Sequence, residues 1–98
     1  MVSNLDISLQ QNRSVFSDLL LEHTAVKTCH ISLPDMPKPV GAIAYDNRFY
    51  SYVKFYPTLE AAQRASDRMK KLGNLFILTR VPKGLVLWVF EPDAQLAK

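Results

Sequence analysis

Apolar residues change their spacing four times between Tyr45 and Glu91, and each change marks an element. Val40 to Tyr45 and Arg48 to Tyr56 have the composition of strands, and the Asp46-Asn47 pair between them tolerates positive φ, which predicts a tight hairpin. Pro57-Thr58 opens a helix with Thr58 as N-cap and Glu60 in the first turn, where the helix dipole favours a carboxylate. Leu59, Ala62, Ser66, Met69 and Leu72 share one face of that helix, and Gly73 follows Lys70 and Lys71 as the residue able to adopt the left-handed conformation that ends it. Leu75 to Val81 and Leu85 to Phe90 are strands, and Pro82-Lys83-Gly84 between them predicts a type I turn closed by a glycine bulge. Both strands are apolar on both parities, so each is covered on two faces, or on one face and a subunit contact.

The pattern before Val40 is weaker. Leu5, Ile7 and Leu9 alternate as in a short strand or an unpaired lead-in, and Asn12 or Ser14 caps a short helix over Ser14–His23, where Val15, Phe16, Leu19, Leu20 and His23 recur at spacings of three and four. Ala25 to Leu33 then turns β-like, with Ala25, Lys27, Cys29, Ile31 and Leu33 on the parity that faces a core. Three prolines between Pro34 and Pro39 forbid helix and central strand, which makes that stretch a stiff surface connector. The tail after Pro92 is short and polar, and residues 1–13 and 93–98 are expected to fray. The expected architecture is a single α+β domain over residues 1–98: a four- to five-stranded antiparallel or mixed sheet, the Thr58–Leu72 helix packed on one face, and the short N-terminal helix over an edge or the other face.

The order of strand, helix, strand and strand, with Lys71-Leu72-Gly73 at the end of the helix, resembles in outline the small sporulation-related repeat that binds bare peptidoglycan glycan strands. The likeness is one of architecture, covers about half of the chain, and carries no binding residue over.

Composition narrows the chemistry. Ninety-eight residues, 48% of them hydrophobic, suffice for one core without metal or disulfide staples. Cys29 is the sole cysteine, so an intrachain disulfide, a zinc cluster of cysteines and a Cys-x-x-Cys redox pair are all excluded. A reducing, cytoplasmic setting is the simplest expectation, since the first residues lack a basic stretch followed by an apolar run and no run is long enough to span a bilayer, so no membrane partner is expected either. Cys29 and His30 are adjacent on a strand and so point to opposite faces, which separates the nucleophile from the base. Neither a His-x-x-x-His pair nor a calcium-type acidic loop occurs, and Gly41, Gly73 and Gly84 are too far apart for a phosphate-cradling loop. No enzymatic activity, cofactor or metal is expected.

Charge is distributed unevenly. The net charge is +3, yet Arg48, Lys54, Arg64, Arg68, Lys70, Lys71, Arg80 and Lys83 stand against only Glu60 and Asp67 in residues 48–83, giving that stretch +6 and the rest of the chain −3. Such separation describes what a surface attracts. Strict alternation from Arg48 onward sets Arg48, Tyr50, Tyr52, Lys54 and Tyr56 on one face and Phe49, Ser51, Val53 and Phe55 on the other. The first set is the candidate partner-binding surface, extended by Arg80 on the following β segment and assisted by Arg64 and Lys71 on the helix. Phenols interleaved with cations suit an acidic protein surface, which makes a small non-enzymatic adaptor the leading expectation. The alternatives are weak binding of single-stranded nucleic acid, with Tyr50 and Tyr52 stacking on bases, and a structural homodimer or assembly subunit built on the two-sided apolar strands.

Overall fold

The computed structural model describes residues 20–97. The expected helix over Ser14–His23 falls partly outside them, and the Leu5–Leu9 alternation and the expected cap at Asn12 or Ser14 fall wholly outside. Within them, Leu20–Glu22 forms not a helix but a strand, β1, followed by a single 3-10 turn at His23–Ala25. Five of the remaining strands lie where the pattern sets them: β2 at Lys27–Ser32, β3 at Val40–Tyr45, β4 at Arg48–Tyr56, β5 at Phe76–Val81 and β6 at Gly84–Phe90. One helix, α1, spans Leu59–Leu72, and a last strand, β7, occupies Gln95–Leu96 in the tail expected to fray. Its backbone finds a use there, because β2 would otherwise leave one row of ladder groups unpaired: Ile31 pairs with Leu96, Ser32 with Gln95, and the Ala97 amide donates to the His30 carbonyl at 3.0 Å.

All seven strands form one mixed sheet in the order β1-β5-β6-β4-β3-β2-β7. Only β1 and β5 run parallel, and every other pairing is antiparallel. The count exceeds the expected four or five by the two edge strands, which are three and two residues long. Short edges of this kind offer little template for pairing with another chain.

Residues 23–26 alone join β1 to β2, which stand five places apart in the sheet. Five Cα steps reach at most about 17 Å, whereas five strand spacings in a flat sheet need about 24 Å. The sheet must therefore curl, and it curls toward the face on which Val26 of the connector packs against Ile43, Tyr50 and Ile77. Leu21, Tyr45, Trp88 and Phe90 complete that cluster. The opposite face is covered by α1, whose Ala62 and Ala65 lie on Phe76, Leu78, Leu85 and Leu87, with Leu20, Tyr56 and Met69 around them. The two-sided apolarity of β5 and β6 is thus used within one chain.

Local chemistry fixes the ends of these elements. The Thr58 hydroxyl accepts from the Ala61 amide at 3.2 Å, and Gly73, at φ 78°, lets its own amide reach the Lys70 carbonyl while that of Asn74 reaches Met69. Asp46 and Asn47 take φ values of 52° and 61° in the hairpin turn. The β5–β6 turn differs from its expectation. Val81 pairs directly with Gly84, so the loop is the two residues Pro82 and Lys83, and Gly84 has no positive φ. Glycine is needed there for space: a Cβ would overlap the Tyr56 carbonyl oxygen and come within 2.9 Å of the Phe55 ring.

Candidate docking surface

Residues directly opposite one another in a sheet share a face. In the first half of β4, Arg48 stands opposite Tyr45, Tyr50 opposite Ile43 and Phe90, and Tyr52 opposite Trp88, all on the curled face away from α1. Between Tyr52 and Lys54 the register shifts, and Val53 has no partner in β6. Beyond this β-bulge Lys54 stands opposite Leu87 and Tyr56 opposite Leu85, both residues of the cluster beneath α1. One extra residue has inverted the alternation. The expected continuous face of Arg48, Tyr50, Tyr52, Lys54 and Tyr56 is therefore divided between the two sides of the sheet.

On the curled side, Tyr50 is only 2% exposed and tilts against Phe90 at a ring distance of 5.7 Å. It belongs to the core, not to a surface. Tyr52 remains 52% exposed, edge-on to Trp88 at 5.8 Å, and the Trp88 indole N–H donates to the Thr79 hydroxyl at 2.9 Å. The Arg48 guanidinium lies 5.8 Å from the centre of the Phe90 ring, a cation–π placement on the face away from α1.

Arg80 does not extend this surface. It stands opposite Leu85 on the helix side, at the β1 edge, where Glu22 neutralises it at 3.2 Å and His23 donates through Nδ1 to its carbonyl at 2.9 Å. Its charge is already matched.

Cations gather instead along one flank of α1. At 100° per residue, Arg64, Arg68 and Lys71 fall within an arc of about 60° on the exposed side of the helix, with Arg68 at the edge nearest Leu72 and β4. All three are exposed, and among the described residues none is in a salt bridge. Lys54, carried to this side by the bulge, is exposed with its Nζ 5.7 Å from the centre of the Tyr56 ring. Between the flank and β4 runs a groove of about 190 Å³, lined by Val53, Tyr56, Ala65, Arg68, Met69, Leu72 and Leu87. Leu72 at its mouth is 74% exposed and Val53 is 40% exposed. Leu72 shares the apolar stripe of the helix by spacing, yet it projects past the sheet and forms the rim of the groove. Val53, Met69 and Leu87 were not legible as surface lining, since alternation assigns Val53 to the core and nothing in the residue types of β4 announces a bulge.

The groups that bear reactive chemistry remain apart. Cys29 stands opposite Ala42 and His30 opposite Gly41, on opposite faces of β2, and burial pushes the Cys29 thiol up from its ordinary pKa. Glu91 accepts from the Ser51 hydroxyl at 2.6 Å, in a shallow groove it shares with Asp35, Met36 and Tyr52. Among the described residues no three of His, Cys, Asp and Glu converge to hold a metal ion, and no helix is long and apolar enough to cross a membrane. No family model, curated protein or solved structure matches this chain.

Proposed function

We propose that this domain is a small, non-enzymatic accessory module that docks an acidic protein partner through the helix side of its sheet. The observation that supports this reading is the row of cations on α1, Arg64, Arg68 and Lys71, joined by Lys54 from beyond the bulge and lacking carboxylate partners among the described residues. Unpaired charges of one sign beside an exposed apolar groove attract a surface of the opposite sign and leave apolar area to be covered. Glu60 and Asp67 stand four residues before Arg64 and Lys71 and temper the field, so the affinity is modest and falls as salt rises.

Nucleic-acid binding through stacked tyrosines has less support, because Tyr50 is enclosed and only Tyr52 is left to meet a base. Assembly through the sheet edges is likewise limited among the described residues, where the two edge strands are three and two residues long.

The test is charge reversal. Proteins retained from native extract at low salt by the wild-type domain should elute as ionic strength is stepped up, and the variant Arg64→Glu/Arg68→Glu/Lys71→Glu should not retain them. Its thermal unfolding should remain cooperative, since each exposed substitution of this kind moves stability by only about 0.5 kcal/mol. Retention of the same proteins with the same elution profile would refute the proposal.

A further inference from the structure

We infer that the acidic partner is recognised through an amphipathic segment, and that one of its bulky apolar side chains seats in the groove between α1 and β4 while its carboxylates meet Lys54, Arg64, Arg68 and Lys71. The inference rests on the docking reading above and specifies what that surface takes.

Size, lining and rim each contribute. A cavity of about 150 Å³ walled by aliphatic and aromatic side chains accepts benzene, so a groove of about 190 Å³ has room for one phenylalanine or leucine side chain. Its walls are the apolar parts of Val53, Tyr56, Ala65, Met69, Leu72 and Leu87, and Arg68 is the only charged group that lines it. Positive charge borders it on both sides, Arg68 within the helix wall and Lys54 next to Val53 on the strand, while Arg64 and Lys71 lie farther out on the exposed face of α1. An apolar pocket bordered by cations complements an apolar side chain flanked by carboxylates.

Backbone pairing is not the mode of capture at this site. β4 is an interior strand, flanked by β3 and β6, so it has no free edge to accept an added strand. Recognition here proceeds through side chains. The β-bulge is what makes the site: without it Lys54 and Tyr56 would lie on the far face, and the strand wall of the groove would lose its cation and its phenol.

The probe is a short, fluorescein-labelled synthetic peptide rich in glutamate with a central phenylalanine, measured by anisotropy beside a twin of the same charge whose phenylalanine is alanine. A third peptide retains the phenylalanine but carries lysine in place of glutamate. Burying a phenylalanine side chain corresponds to about ten-fold to a hundred-fold in affinity, so the alanine twin should bind weaker by about that factor. Leu72 is 74% exposed and its loss opens no core cavity, so Leu72→Gln should reduce the phenylalanine peptide to the level of its twin and leave the twin unchanged.

Equal binding of the twins, with both weakened by Arg68→Glu, would overturn the anchor and leave acidic docking standing. Indifference of both twins to Arg68→Glu would overturn the docking reading as well. Binding of the lysine peptide as tight as the glutamate one would also overturn the inference, as would a light-scattering mass that falls from dimer to monomer on Leu72→Gln, because the groove would then belong to a second copy.

Discussion

Replacing Tyr50 with alanine should lower the free energy of unfolding by about 3–5 kcal/mol, the range for removing a large aromatic from a packed core. The ring is 2% exposed, stands on Ile43 and Ile77, and contacts Phe90, so its loss opens a cavity on the side where the sheet curls. The connector that carries Val26 packs on the same cluster and has no freedom to collapse into the gap, being four residues long between two paired strands. Tyr52→Ala is the matched control: the same residue type, two positions along the same strand, but 52% exposed, for which a cost below about 1 kcal/mol is expected. Trp88 is the only tryptophan, and its fluorescence during urea unfolding reports on this region directly. Equal costs for the two tyrosines would mean that Tyr50 is not enclosed.

Gly84→Ala should be nearly as damaging, at about 3 kcal/mol, the upper part of the range for overpacking. The added Cβ would overlap the Tyr56 carbonyl oxygen, a backbone atom, and press on the Phe55 ring at 2.9 Å. A flexible side chain could swing away. The carbonyl cannot, because Tyr56 is fixed opposite Leu85 in the ladder while Gly84 itself pairs with Val81. Relief requires the β4–β6 pairing to open at its end, beside the residues that form the groove. Gly41→Ala provides the comparison, since nothing lies within 4 Å of its added Cβ, and a change of no more than about 0.5 kcal/mol is expected there. Thermal or urea unfolding of the two variants decides the point, and a neutral Gly84→Ala would contradict the close approach.

What the sequence disclosed and what it concealed have separate physical causes. Asp46-Asn47, Thr58 and Gly73 were legible because each meets a local demand, positive φ or an orphan amide, that few other residues meet. The five longer strands were legible through their composition. Strands β1 and β7 were not, for three and two residues carry no period, and Leu20 and Leu21 fit the spacing of a helix as well as the edge position they hold beside β5. Pro82-Lys83-Gly84 has the composition of a glycine-bulge turn, but what sets that glycine is the ring of Phe55 and the backbone of Tyr56, nearly thirty residues away in sequence.

The divided β4 surface has a different origin. Register is pinned where one face of a strand is apolar and the other polar, and β6 is apolar on both. Nothing in Leu85–Phe90 therefore resists a slip of one residue against β4. Lys54, Phe55 and Tyr56 have apolar bodies that suit either side, so their own pattern gives no warning. The surface changes accordingly: Arg48, Tyr50 and Tyr52 were grouped with Lys54 and Tyr56 by parity, whereas the fold sets Lys54 on the side of α1, where Arg68 lines an apolar groove.

The most direct measurement is a comparison of two single reversals on one strand, Lys54→Glu and Arg48→Glu, by anisotropy titration with the glutamate-rich phenylalanine peptide at physiological ionic strength, where charges more than about 8 Å from the bound peptide are largely screened. If the bulge sends these cations to opposite sides and the partner docks beside α1, Lys54→Glu weakens binding by about ten-fold, the scale of an interface charge turned repulsive, and Arg48→Glu leaves it unchanged. Equal losses from both, or a loss from Arg48→Glu alone, would contradict the account.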